Sequence, residues 1–325
     1  TFERPLTVIK MPSLVQISEE DVRGLLKWDH TFKAVECAFE GVTRGWVSQT
    51  SQWMSLGQTE NIMIILPGYL NHEKYGGIAY KFFTIFPSND RPMFTHIALM
   101  NENSGEIKAM IFGNDITEWR TAAASVVATK HLIGERPQKI LAICGAGAEG
   151  RAHAVDFQHF FNYEQVRIWN RTPSRAQKLV EALNHNLSQP IFLVAETVEE
   201  CLKNADVIVT ATPGDDVIVQ LKWVKPGAHI NAIGVSSTGT ELDIPTYKAG
   251  HVYVDSIENV KHRLQHLQAH GIQFKAQIGD LITKSAVPPE STEITIFQSL
   301  GMGSEDCAMA RMIYDLHMNK FKTAS

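Results

Sequence analysis

From residue 139 onward, short apolar and β-branched runs alternate with longer stretches of helical periodicity. Strands are expected at 139–144, 166–170, 206–212, 228–234 and 252–255, the alternation that builds a parallel sheet from β-α-β units. Between them the spacing predicts a helix at 148–161, a second running to about Asn184, and a short third at 198–204. The second has Thr172 as N-cap and Pro173 at its first position. The first 120 residues are less regular. Strand-like runs at 62–66, 80–86 and 93–100 are separated by turn residues such as Gly76-Gly77 and Asn103-Ser104-Gly105, which suggests a mixed or antiparallel α+β unit. The tail predicts one more helix, capped by Ser304, with Glu305 and Asp306 in its first turn and Ala308, Met312 and Leu316 along one face. That face must dock on the first unit or on a partner chain. The expected class is α/β: a Rossmann-type doubly wound parallel sheet plus an α+β domain.

Composition bounds the function. A chain of 325 residues, 44% hydrophobic, suggests about two domains at roughly 150 residues each. Thirty Lys and Arg against 35 Asp and Glu give a net charge of -5, without the clustered basic excess that phosphate neutralisation demands, so no nucleic-acid partner is expected. No apolar run approaches the roughly 18 residues of a membrane span, and 62–66 is broken by Pro67 and Gly68, so no membrane partner is expected either. Cys37, Cys144, Cys201 and Cys307 lie far apart without a C-x-x-C pair, pointing to neither a disulfide framework nor a zinc cluster. The first residues, Thr1 to Pro5, lack the basic-then-apolar layout of a secretory signal. A reducing, cytoplasmic address is expected.

The strongest local signal is Gly145-Ala146-Gly147-Ala148-Glu149-Gly150, which directly follows an expected strand and opens an expected helix. In that context G-x-G-x-x-G binds a dinucleotide. Gly145 permits the tight turn, Gly147 the approach of a pyrophosphate, and Gly150 close helix–strand packing, while the helix N-terminus offers free N–H groups. The end of the second strand reads Asn170-Arg171-Thr172, where NAD enzymes carry an acid for the ribose hydroxyls. A guanidinium beside a small hydroxyl, with Arg175 a turn later, suits a 2′-phosphate, so NADP(H) is preferred over NAD(H); the alternative is that Arg171 is an ordinary solvated arginine.

Five ordered motifs carry a resemblance: Gly113-Asn114-Asp115-Ile116-Thr117 with Arg120-Thr121-Ala122-Ala123, the Gly-rich turn, Ile168-Trp169-Asn170-Arg171-Thr172, the run 223–232, and Phe297-Gln298-Ser299-Leu300-Gly301-Met302. Together they resemble the ornithine cyclodeaminase/mu-crystallin family, from about Lys81 onward. The resemblance implies a Rossmann domain (121–299) inserted between two parts of a substrate-binding and dimerisation domain (1–120 with 300–325), and a homodimer. It implies that Lys81 and Arg120 hold a substrate carboxylate near the nicotinamide, that Thr95 and His96 match a pair near the cofactor, and that Thr210, Thr212, Ile233 and Ser299 contact it. Chemistry agrees for the two cations: a guanidinium offers a planar fork to a carboxylate, and an ammonium in a low-dielectric cleft also serves proton transfer.

Departures sharpen the reaction. Cyclodeaminases of the family place an Asp where this chain has Ser236, and serine is no base near neutral pH without an activating partner, so Ser236 favours reduction of a C=N bond over cyclodeamination. Ser236 would then orient the substrate nitrogen or the nicotinamide amide. A substrate-side arginine of the family aligns with Gln52, and an acidic segment aligns with Arg263-Leu264-Gln265-His266. Either Arg263 replaces the lost cation across the cleft or the loop has drifted. His262, His266 and His270 would share a helix face if 258–269 is helical, but without a Cys or carboxylate at ligand spacing no metal is expected. Trp46, Trp53 and Trp119 read as packing residues.

The resulting expectation is an NAD(P)H-dependent imine (ketimine) reductase acting on a small, cyclic ketimine carboxylate. The alternatives are an NADPH-dependent binding protein with an iodothyronine ligand, which the resemblance also implies, and an amino-acid dehydrogenase or ornithine cyclodeaminase.

Overall fold

The computed structural model describes residues 14–324 apart from 90–92, 135, 215, 235, 237 and 238, and, within 321–324, the backbone only. Thr1 to Pro5, read above for a leader, lie outside the described residues.

The first sheet gathers β1 (Val15–Ile17), β2 (Val47–Gln49), β3 (Gln52–Ser55), β4 (Ile62–Leu70), β5 (Gly77–Ile85), β6 (Met93–Met100) and β7 (Ile107–Phe112). Its order is β1-β7-β6-β5-β4-β2, with β3 also on β4. Only β1 runs parallel to its neighbour. Because side chains alternate across a strand, Ile64, Leu66, Leu70, Ala79, Ile97 and Leu99 share the buried face, while Tyr80 and Phe94 stand on the other.

The second sheet is built from β8 (Ile140–Cys144), β9 (Gln165–Trp169), β10 (Phe192–Val194), β11 (Val207–Thr210), β12 (His229–Ala232), β13 (Gly250–Val254), β14 (Phe274–Gln277) and β15 (Ile294–Gln298). All its pairs are parallel, in the order β10-β9-β8-β11-β12-β15-β13-β14. The five expected strands are present, and the doubly wound class is borne out. Strands β10, β14 and β15 were not expected from the pattern. β15 is central yet carries Thr295 and Gln298, whose polarity hid it. Both are satisfied inside: Thr295 Oγ1 lies 2.8 Å from His229 Nδ1, and Gln298 Nε2 donates to the Ala232 carbonyl at 2.9 Å.

Helices α1 (Glu19–Leu25), α2 (Trp28–Thr43) and α3 (Asn114–Ile133) flank the first sheet and its junction with the second. Helices α4 (Ala148–Phe161), α5 (Pro173–Asn184), α6 (Val198–Leu202), α7 (Ile244–Ala249), α8 (Ile257–Arg263), α9 (Gln265–Ala269) and α10 (Ile278–Ile282) belong with the second, and α11 (Gly303–Ala324) closes the chain. Helix α3 packs on α2, α4 and α11 and runs unbroken through position 120, so the expected cut there falls inside a helix. It is buried on nearly every side, leaving no amphipathic stripe to read. Helix α11 begins at Gly303, which puts Ser304 inside its first turn instead of at the cap, and it docks on β4 and β5 of the first sheet, burying Ala308 and Met312. Thr172 stands at the N-cap of α5 without a capping bond from its side chain. The stretch 258–269 breaks at Leu264 into α8 and α9, so His262 and His266 do not lie on one continuous helix. Among the described residues no helix is long and apolar enough to cross a membrane.

Candidate functional site

The strand order of the second sheet reverses between β8 and β11, and the crevice outside the carboxyl ends of strands at such a point is where open α/β sheets bind ligands. The Gly-rich turn leaves β8 here. Gly145 has φ +130°, and a Cβ on it would sit 2.3 Å from the Ala211 carbonyl oxygen; a Cβ on Gly150 would meet the Gly145 oxygen at 2.0 Å. Nothing lies within 4 Å of the Cβ position of Gly147, so backbone there is open to an approaching group. Ala148 begins α4, whose first N–H groups point into the same space. Gly145, Gly147, Asn170, Arg171, Thr172 and Arg175 line a cavity of about 540 Å³. A turn open at Gly147, a helix N-terminus and two arginines at the rim fit a dinucleotide. Asn170 braces the turn: its Oδ1 accepts from Ala146 N at 3.0 Å and its Nδ2 donates to the Thr172 carbonyl at 2.9 Å. Arg171, 83% exposed, pairs weakly with Asp216 at 3.4 Å.

A second cavity of about 250 Å³ opens beside the first, and Ala211 and Thr212 line both. Its lining is apolar at Trp53, Ile64, Leu66, Phe83 and Leu300 and charged at Lys81, Arg120, Arg263 and Glu149, with Lys81 paired across from Leu66 and two residues from Phe83. Lys81, 1% exposed, lies 2.9 Å from Oδ1 and 2.8 Å from Oδ2 of Asp306. Burial pushes its ammonium below its ordinary value while Asp306 pulls it back. Arg120 Nη1 donates to Glu305 Oε2 at 3.2 Å, its Nε lies 3.6 Å from Asp306 Oδ1, and burial pushes the Glu305 carboxyl up to about 8 against the pull of Arg120. Gly301 makes the room: at φ +75° it has no Cβ, which would lie 3.1 Å from Arg120 Nη1. Arg263 stacks over the Trp53 ring at 5.7 Å and donates to the Leu300 carbonyl.

The other expected site residues divide. Ile233, Ser299 and Thr212 line the smaller cavity. Thr210 is buried behind it, its hydroxyl donating to Glu241 Oε2 at 2.7 Å. Thr95 and His96 line neither cavity. Thr95 is buried in β6, with its N–H donating to Asn114 Oδ1 at 2.6 Å, and His96 turns to the opposite face against Phe112. Gln52 pairs with Ile65, on the face of the first sheet away from the cleft, whereas its neighbours Ser51 and Trp53 line it. Ser236 lies in a separate small pocket with Tyr247 and Gln298, its Oγ accepting from Gly239 N at 3.2 Å. Glu149 faces the smaller cavity and does not line the nucleotide cavity.

Residue-type reasoning missed several positions. Glu305 and Asp306 were visible only as acids at a helix start, whereas they pair with Lys81 and Arg120. Glu241 is a buried hub that accepts from Thr210 Oγ1, Thr212 N, Thr212 Oγ1 and Gly234 N at 2.6–2.8 Å, fixing the loops after β11 and β12. Asp255 Oδ2 accepts from Leu300 N and Gly301 N at 2.6 and 2.7 Å, which sets the turn carrying Gly301. Trp53 is no packing residue: it is 55% exposed on the cleft wall.

Residues 14–320 match the model of the ornithine cyclodeaminase/mu-crystallin family. The chain is 32% identical to the ketimine reductase mu-crystallin of Macropus fuliginosus over 87% of its own length and 89% of the relative's. It is similar to the solved Delta(1)-pyrroline-2-carboxylate reductase of Thermococcus litoralis in complex with NADH and L-proline, with a TM-score of 0.88, 25% identity, and 94% of this chain and 98% of that one covered. An archaeal alanine dehydrogenase dimer with bound NAD superposes with a TM-score of 0.86 at 25% identity, covering 94% and 97%.

Proposed function

The chain belongs to the ornithine cyclodeaminase/mu-crystallin family, and from that premise we propose that it is an NAD(P)H-dependent imine reductase whose substrate is a small cyclic ketimine carboxylate. The observation that carries this reading is the pair of buried cations, Lys81 and Arg120, on the wall of a small cleft that shares Ala211 and Thr212 with the dinucleotide crevice. The bound nicotinamide supplies hydride. Arg120 lines the cleft with the part of its fork that Glu305 and Asp306 leave to a carboxylate, Lys81 adds charge beside it, and Trp53, Phe83 and Leu66 exclude water from the ring of the substrate. Relatives with this activity support the reading: the curated mu-crystallin is a ketimine reductase and the Thermococcus litoralis enzyme a pyrroline-2-carboxylate reductase. A volume of about 250 Å³, below the roughly 300–1,000 Å³ of drug-sized sites, favours a small ring acid over an iodothyronine. Ser236, outside the cleft, speaks against cyclodeamination.

Two finer parts belong to the same reading. NADP(H) is preferred, supported by Arg171 and Arg175 on the nucleotide cavity and by the lack of an acid at Asn170. Two copies pair through the outer face of the first sheet, supported by Tyr80, Phe94 and Met54 exposed there and by the dimeric alanine dehydrogenase.

Loss of reduced-nicotinamide absorbance with a panel of five- and six-membered cyclic ketimine acids tests the activity. We expect turnover, with a higher kcat/KM for NADPH than for NADH, and expect Arg171→Ala to erase that difference. No turnover of any imine sinks the reductase reading; an Arg171→Ala variant that keeps its NADPH preference sinks the phosphate assignment.

A further inference from the structure

Glu149 is the second residue of α4, inside the Gly-rich motif, yet its side chain leaves the nucleotide cavity and enters the cleft beside Lys81, Arg120 and Thr121. Among the described residues lining that cleft it is the one carboxyl; the other ionisable groups there are cations. Its Oε2 is shut off from solvent and has no hydrogen-bond partner. The charged groups facing it are Glu118 and Arg120 from α3 and Lys81 from β5. On its own helix His153 approaches to 3.9 Å, but that ring is committed, with Nδ1 2.7 Å from the Glu149 carbonyl oxygen and Nε2 3.0 Å from Ser125 Oγ. Burial drives His153 down to about 4, so it offers Glu149 no charge near neutrality. The nearest cations are themselves drawn to Asp306 and Glu305.

A carboxylate oxygen buried without a donor is costly, and protonation removes that cost. The Glu149 side chain keeps 32% of its surface accessible, and desolvation of the rest pushes its carboxyl up to about 8, with Arg120 and the Thr121 hydroxyl opposing. Glu305, Asp306 and Asp255 stand behind the cleft wall, and Ser236 lies in another pocket. A substrate nitrogen in the cleft therefore meets a single carboxyl.

We propose that Glu149 is the general acid that protonates the substrate nitrogen, a role that rests on the imine-reductase reading above. As the C=N carbon accepts hydride, the π pair moves onto nitrogen, nitrogen forms its N–H bond with the proton of the Glu149 carboxyl, and the O–H bond breaks to leave carboxylate. Solvent returns the proton between turnovers. In the reverse direction the carboxylate takes the amine proton as hydride leaves.

Glu149→Gln keeps shape and polarity but holds no proton. With NADPH and a cyclic ketimine acid, kcat at neutral pH should fall by roughly 10²–10⁴-fold, while the Kd for NADPH, read by fluorescence, stays within about twofold. Wild-type kcat should decline as pH rises through about 8, and the variant should lack that limb. Independently of turnover, the infrared difference between wild type and variant should show a protonated-carboxyl stretch at neutral pH that vanishes through the same range. A variant with wild-type kcat at every pH, a loss confined to NADPH affinity, or the missing infrared band overturns the assignment while leaving the reductase reading intact. Wild type that reduces no imine overturns both.

Discussion

At the scale of single residues the cleft is built on two buried ion pairs, Lys81–Asp306 and Arg120–Glu305. Each took its charges out of water, so neither is strong evidence for stability, but removing one partner strands a buried charge. Lys81→Met leaves Asp306 with only the Arg120 Nε at 3.6 Å and should lower unfolding free energy by about 3–5 kcal/mol in urea titrations. The double change Lys81→Met with Asp306→Leu should regain most of that while remaining inactive toward imines; a double variant no more stable than the single one would refute the pairing account. Arg120 was expected from the motif that contains it, and Lys81 from the family resemblance. Their acids were not, because the partners lie 225 and 185 residues away along the chain and present themselves locally as favourable charges at a helix start. Glu149 was expected at the cofactor as part of the Gly-rich motif, whereas its side chain lines the smaller cleft, because a one-dimensional pattern does not say which way the second residue of a helix turns.

Elements show the same division between local and non-local information. Strands whose residues are apolar on both faces, such as β8 and β11, announce themselves, whereas β15 and α3 owe their positions to neighbours that satisfy Thr295 and Gln298 or cover every side of the helix. The outer face of β3–β7 is the element-scale question. Tyr80 and Phe82 stack at 6.5 Å on it, and Tyr80 and Phe94 are 37% and 39% exposed, although the inner face of the same strands is already buried by α11. In the proposed dimer this face is covered. Tyr80→Lys, on the opposite face from Lys81, should shift sedimentation velocity toward monomer without altering the far-ultraviolet spectrum; wild type that sediments as monomer at micromolar concentration would remove the proposal.

Over the whole molecule, the titratable groups shifted by desolvation oppose one another across pH. Glu149 and Glu305, raised from 4.5 to about 8, hold protons in the folded chain that the unfolded chain has released, so between those values each lowers stability by up to about 1.4 kcal/mol per pH unit gained. His153 and His229, lowered from 6.5 to about 4 and about 3, refuse protons that the unfolded chain takes up, so stability rises with pH until about 6.5. From 4.5 to 6.5 the histidines oppose the carboxyls, to which Asp255, Glu241 and Asp156, also raised by burial, add in the same direction, and above 6.5 that opposition ends. Thermal melts of the ligand-free protein should therefore show a Tm that falls more steeply from about pH 6.5 to 8 than it changes over about pH 5–6.5. Glu149→Gln should make that fall shallower, because it deletes one of the protons released. A Tm that climbs across the upper window would mean that these carboxyls are already ionised in the fold, and that Glu149 stands at neutral pH as a carboxylate among the three cleft cations instead of an acid poised beside them.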